Sequence, residues 1–75
     1  MIADDEIDAS GLLCPLPVLK ARKRLKSMAS GQILALTATD PAAVVDVPHF
    51  CAEAGHDLIA QTDSEAGQRY FIRKG

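Results

Sequence analysis

The chain has no tryptophan, and one tyrosine and two phenylalanines are its only aromatics. Single-stranded nucleic acid is gripped by stacking bases on aromatic rings, and a net charge of −2 adds no pull on phosphates, so no direct nucleic-acid partner is expected. No apolar run approaches the ~20 residues that cross a bilayer. The acidic start Met1-Ile2-Ala3-Asp4-Asp5-Glu6 lacks the basic and apolar regions of a signal peptide, so no membrane role and a cytoplasmic location are expected. Two cysteines are too few for a disulfide-stapled secreted scaffold, and without a CxxC pair or a Cys/His cluster they make no zinc site. Gly-rich phosphate loops and internal repeats are missing too. Reduced thiols, no metal and no cofactor are the expectation.

What is present is the composition of a globular domain, with 48% hydrophobic and 24% charged residues, read as a single domain over 1–75. A chain this short buries only about 60% of its unfolded surface, which disfavours a deep substrate pocket and places any chemistry near the surface. Charge is unevenly spread. No acid occurs from Ala9 to Thr39, whereas Lys20, Arg22, Lys23, Arg24 and Lys26 supply five of the eight basic residues. Such a run is either a solvated helix face or a patch that attracts acidic proteins.

The apolar pattern predicts strand, helix, strand, helix, strand, strand. Glu6 to Ala9 alternates and reads as a short strand. Val18, Ala21, Leu25 and Met28 recur at steps of three and four, giving a helix over 18–28 with one stripe on a sheet, stopped by Ser30-Gly31. Leu19 falls off that stripe. Ile33 to Ala38 is almost continuously apolar, as in an interior strand. Pro48 argues against one unbroken helix from 41, so a short turn at 41–45 and a helix from Val47 to Ala54, ended by Gly55, are expected. Val47, Phe50, Cys51 and Ala54 share its inner face, which makes Cys51 structural. Leu58 to Thr62 and Arg69 to Arg73 read as a hairpin around a loop of about five residues, 63–67. Strand-helix-strand implies parallel pairing and the hairpin adds antiparallel pairing, so the sheet is mixed, with both helices on one side.

Cys14-Pro15-Leu16-Pro17 carries the chemistry. It follows the Ser10-Gly11 turn and leads into the cationic helix, with Pro17 suited to a first helical position where its missing N–H is unneeded. Pro15 and Pro17 stiffen the loop and keep the cysteine off the helix, so Cys14 is presented rather than packed. A helix N-terminus carries roughly half a positive charge, so the thiol is expected to ionise below its usual ~8.5 and act as a nucleophile. His49 and His56 flank the second helix without an acid-base constellation around either, and neither is assigned as a base.

The stretch "ASGLLCPLPVLKARKRL", followed by "ATDPAAVVDVPHFC" and the final "RYFIRKG", resembles the TusA/SirA family of small sulfur carrier proteins over about Ile7 to Lys74. The resemblance implies a two-layer α/β (α+β) sandwich of order βαβαββ, with a four-stranded mixed sheet and two helices on one face. It also implies that Cys14 accepts sulfane sulfur as a persulfide from a protein donor, a cysteine desulfurase or a rhodanese. The sulfur then passes to an acceptor protein, in tRNA thiolation, cofactor assembly or sulfur oxidation. Some members are linked to selenium. Such a carrier needs partner proteins to turn over. For docking, Lys20, Lys23, Arg24 and Lys26 would steer acidic partner surfaces, with Leu16 and Leu19 at the apolar centre. The alternatives are a redox or regulatory module read through oxidation of Cys14, and a purely structural binding domain.

Overall fold

The computed structural model describes residues 2–75. Six elements follow in order: β1 (Asp5–Ala9), α1 (Leu16–Lys26), β2 (Ile33–Ala38), α2 (Ala43–Ala54), β3 (Asp57–Ser64) and β4 (Gly67–Arg73). The strands make one sheet in the order β1-β2-β4-β3, with β1 parallel to β2 and the other pairs antiparallel. This is the expected βαβαββ mixed sheet, and β2 is an interior strand as its apolar run predicts. Leu34, Leu36 and Ala38 of β2, with Ile7, Ala9, Tyr70 and Ile72 beside them, form one inner face. Ala21 and Leu25 of α1 and Val47, Phe50 and Cys51 of α2 pack against it, so both helices lie on the same side. On the other side, Ala35 and Phe71 pair in register and are still only 1% and 7% exposed. Arg69 lies over the Phe71 ring at 5.2 Å and ion-pairs with Glu6 at 2.5 Å, shielding apolar surface that no helix covers.

Several boundaries depart from the sequence reading: α1 starts at Leu16 rather than Val18, β3 runs over Asp57–Ser64, and three further departures have a local cause. Helix α1 ends at Lys26 rather than Met28, because the Ser27 hydroxyl donates back to the Arg24 carbonyl at 2.8 Å and breaks the ladder. Lys74 Nζ then donates to the carbonyls of Leu25 and Met28 at 2.5 and 3.3 Å, setting a cation at the negative end of α1.

Helix α2 begins at Ala43 and carries Pro48 inside it, where a break was expected. Its entry is tight, with Val44 N–H donating to Pro41 O and Val45 N–H to Ala42 O, so the expected turn at 41–45 became the first turn of the helix. The proline removes a single i→i−4 bond and costs about 3 kcal/mol. Burial of Ala43, Val47, Phe50 and Cys51 offsets this, at about 1.5–3 kcal/mol for each large apolar side chain. Gly55 ends the helix in the left-handed region at φ +79°, as expected.

The hairpin loop contracts to Glu65-Ala66, since Ser64 and Gly67 still pair. Gly67 makes this possible. It sits at φ +122°, and a Cβ there would lie 2.5 Å from the carbonyl oxygen of Ala38.

Candidate functional site

Cys14 is exposed in the connection between β1 and α1. That connection is tied to the segment between β2 and α2 by side-chain acceptors. Gly11, at φ +79°, donates its N–H to Thr39 Oγ1 at 2.8 Å. Cys14 N–H donates to Asp40 Oδ2 at 2.5 Å, while Asp40 Oδ1 accepts from Ala42 N–H at 3.1 Å and holds the turn into α2. From the first turn of α2, Asp46 Oδ2 accepts the Sγ–H of Cys14 at 2.5 Å. Beside the thiol lies an open cleft of about 270 Å³, with Pro15, Val18 and Phe50 as its apolar wall and Arg22, Asp46, His49 and Glu53 as its polar rim.

The expected lowering of the Cys14 pKa is overturned. The hydrogen bond to Asp46 pushes the thiol up, helped by some loss of hydration and by the charges of Asp46 and Asp40. A full carboxylate charge in direct contact outweighs the roughly half charge of a helix end spread over its first turn. That helix end is also thinned. Pro15 and Pro17 have no N–H, and the N–H of Leu16 is taken by Leu13 O at 2.9 Å. The sequence reading missed Asp46 and Asp40 as partners of the thiol.

The motif prolines take different positions. Pro15 is exposed at the N-cap of α1, after a cis Cys14–Pro15 bond, whereas Pro17 is buried in the first turn. Helix α1 starts at Leu16, so it excludes the cysteine as expected. Leu16 and Leu19 are each 46% exposed, and the structure adds three apolar residues that the sequence reading passed over: Leu13 at 69%, Val44 at 46% and Val45 at 71%. Leu13 is next to Cys14 in the chain and Val45 next to Asp46.

The cations divide between two flanks. Arg22, part of the basic run but not among the expected docking cations, lines the thiol cleft. Lys20, Lys23 and Arg24 line a separate groove with Ile7 and Ser27, and Lys26 is exposed at the far end of α1. Arg24 is not free of acidic neighbours, since Asp5 of β1 pairs with it at 2.6 Å. Cys51 is 2% exposed in α2, and burial, with a smaller push from Asp57, moves its pKa up to about 11. His49 Nε2 pairs with Glu53 at 3.2 Å, and His56 Nδ1 accepts the N–H of Gly75 at 3.0 Å, so neither addresses the thiol.

Residues 5–74 match the family described as Sulfurtransferase TusA. The chain belongs to the TusA family. A TusA relative from Allochromatium vinosum, described as Sulfur carrier protein TusA, is 46% identical over 71 residues, which cover 95% of this chain and 92% of that protein. The crystal structure of a SirA-like protein from Desulfitobacterium hafniense superposes with a TM-score of 0.76 over 92% of this chain and 93% of that one. At 20% identity this is a likeness of fold. Among the described residues of this TusA chain, no group of His, Cys, Asp and Glu is arranged to hold a metal, and no helix is long and apolar enough to cross a membrane.

Proposed function

We propose that this chain is a sulfur carrier whose Cys14 receives sulfane sulfur from a protein donor, holds it as a persulfide and yields it to a protein acceptor. The observation that carries this reading is the contrast between a fixed, exposed Cys14 and a buried Cys51 in a chain of the TusA family. Covalent cargo needs no enclosed pocket, and an open cleft beside the thiol leaves room for a partner's own cysteine. Sγ of Cys14 attacks the terminal sulfur of a donor R–S–SH, the donor S–S bond breaks, and R–S⁻ leaves and takes up the proton that Cys14 releases. The products are R–SH and Cys14–S–SH. The same exchange in reverse, on an acceptor thiol, delivers the sulfur. A cysteine desulfurase or rhodanese fits the donor role, and the carrier turns over only with both partners.

A cytoplasmic setting suits this chemistry, since reducing surroundings keep the exposed thiol free for exchange. A resolving cysteine would favour the redox-module reading, and Cys51, in the core, is poorly placed to be one. Exposed Leu13, Leu16, Leu19, Val44 and Val45 would form the apolar part of the docking surface, with the α1 cations at its rim.

The test is intact-mass analysis after incubation with a cysteine desulfurase and cysteine. Wild type should gain one sulfur atom that reductant removes, and Cys14→Ser should gain none. Equal gain in both would place the cargo elsewhere.

A further inference from the structure

Asp46 lies 32 residues beyond Cys14 in the chain, yet its carboxylate is in direct contact with the thiol. The two differ in freedom. Asp46 is half-buried in the first turn of α2, whereas the Cys14 side chain is exposed on a backbone held by Asp40, so the acceptor is anchored and the thiol can leave it by side-chain rotation alone. The surroundings leave Asp46 dominant. From the segment before α2, Asp40 spends Oδ2 on the N–H of Cys14 and Oδ1 on that of Ala42. From α2, His49 and Glu53 pair with each other, and from α1 only Arg22 faces the cleft. No cation contacts Asp46 among the described residues, so its charge is spent on the thiol alone.

We propose that Asp46 is a positioning residue for the carrier thiol, which holds Cys14 protonated in the free protein and releases it when a docked partner sets a Lys or Arg against the carboxylate. This rests on the reading of Cys14 as the sulfur-bearing residue. A protonated thiol is a poor nucleophile, so the free carrier is protected from adventitious electrophiles despite its exposure. Docking reverses the balance. Leu13, Leu16, Val44 and Val45 flank the Cys14–Asp46 pair along the chain, and a partner seated on them excludes water. In that drier contact the partner's cation binds Asp46 strongly, and both the hydrogen-bond acceptor and the opposing charge are withdrawn from the thiol. The Sγ proton then passes to the leaving R–S⁻. The partner surface that fits is an apolar ring around a basic residue.

The experiment follows Cys14 alkylation by peptide mass mapping, across pH, for wild type and Asp46→Asn. In the variant the pH midpoint should fall. A tenfold rise in thiolate fraction per pH unit, set against the lower intrinsic nucleophilicity of a more acidic thiol, should raise the neutral-pH rate about threefold for each unit of fall. Wild type should also react faster with a cationic methanethiosulfonate than with an anionic one, and the variant should lose that preference. An unchanged or slower neutral-pH rate in Asp46→Asn overturns the proposal. So does a wild type that prefers the anionic reagent, and this arm needs no variant. If Asp46→Asn does not fold by circular dichroism, Asp46→Ala takes its place. Sulfur loading of wild type is scored separately by intact mass, so failure of the carrier reading shows as absent loading whatever the alkylation profile.

Discussion

Cys14 and Cys51 are both held as thiols, by opposite means. Cys51 faces the core from α2, and loss of hydration pushes its pKa to about 11. Cys14 is exposed, and its pKa is raised chiefly by the hydrogen bond to Asp46. Burial can be relieved only by opening the fold. A carboxylate's hold can be relieved by another charge, with nothing unfolded. On the proposed reading, the difference lets one small domain carry two cysteines and use one: the core thiol stays silent while the fold is closed, and the surface thiol would be silent until a partner changes its electrostatics.

The largest effect expected from breaking this comparison is on sulfur loading. Cys14→Ser should abolish loading in the intact-mass assay and leave stability within about 0.5 kcal/mol, as for an exposed substitution. Cys51→Ser should load normally while losing about 1–3 kcal/mol to a buried hydroxyl, read by urea denaturation. Normal loading of Cys14→Ser, or none of Cys51→Ser, would exchange the roles.

A second effect concerns stability against pH. The folded pKa of Cys51 is raised to about 11, above its unfolded value of ~8.5, so the folded state favours the protonated thiol. Its stabilisation is full below the unfolded value and is lost as pH rises through the folded one. Wild type should therefore lose about 1–3 kcal/mol between roughly pH 8.5 and 11 that Cys51→Ala does not lose. Parallel stability curves would mean that Cys51 stays hydrated in the native state.

Much of this contrast was legible in the residues. The i, i+3, i+4 spacing of Val47, Phe50 and Cys51 placed Cys51 in the core, although Ala54 at i+7 is exposed at the helix end, and the continuous apolar run of β2 placed that strand inside the sheet. Cys14 was marked by its two prolines. Local pattern did not reveal what Cys14 touches, because Asp46 and Asp40 reach it only after the chain has returned through β2. The sequence points to the helix end as the controlling charge, yet Pro15 and Pro17 leave that end without two of its N–H donors. Pro48 misled in the other direction: its local cost is real, but four buried side chains on α2 exceed it. The sequence gives no reason to separate Arg22 from the other cations because α1 reads as uniformly basic, and only packing against α2 distinguishes its flank from that of Lys20 and Lys23.

A smaller effect is expected away from both thiols. Lys20 and Lys23 lie in the groove on the far flank of α1, and Lys20→Glu/Lys23→Glu should slow association with a protein donor about three- to tenfold at low salt and flatten its salt dependence. Alkylation of Cys14 by small neutral reagents should not change. Equal association curves would leave that flank as a solvated face.

The most direct measurement follows the Cβ chemical shifts of isotope-labelled cysteine by NMR through a pH titration, which reads both thiols in one sample of native protein. In wild type, Cys14 should titrate above its usual value and Cys51 at about 11. In Asp46→Asn the Cys14 midpoint should fall while that of Cys51 stays in place. A Cys14 midpoint below the usual cysteine value in wild type, or one that Asp46→Asn leaves unmoved, would contradict the account.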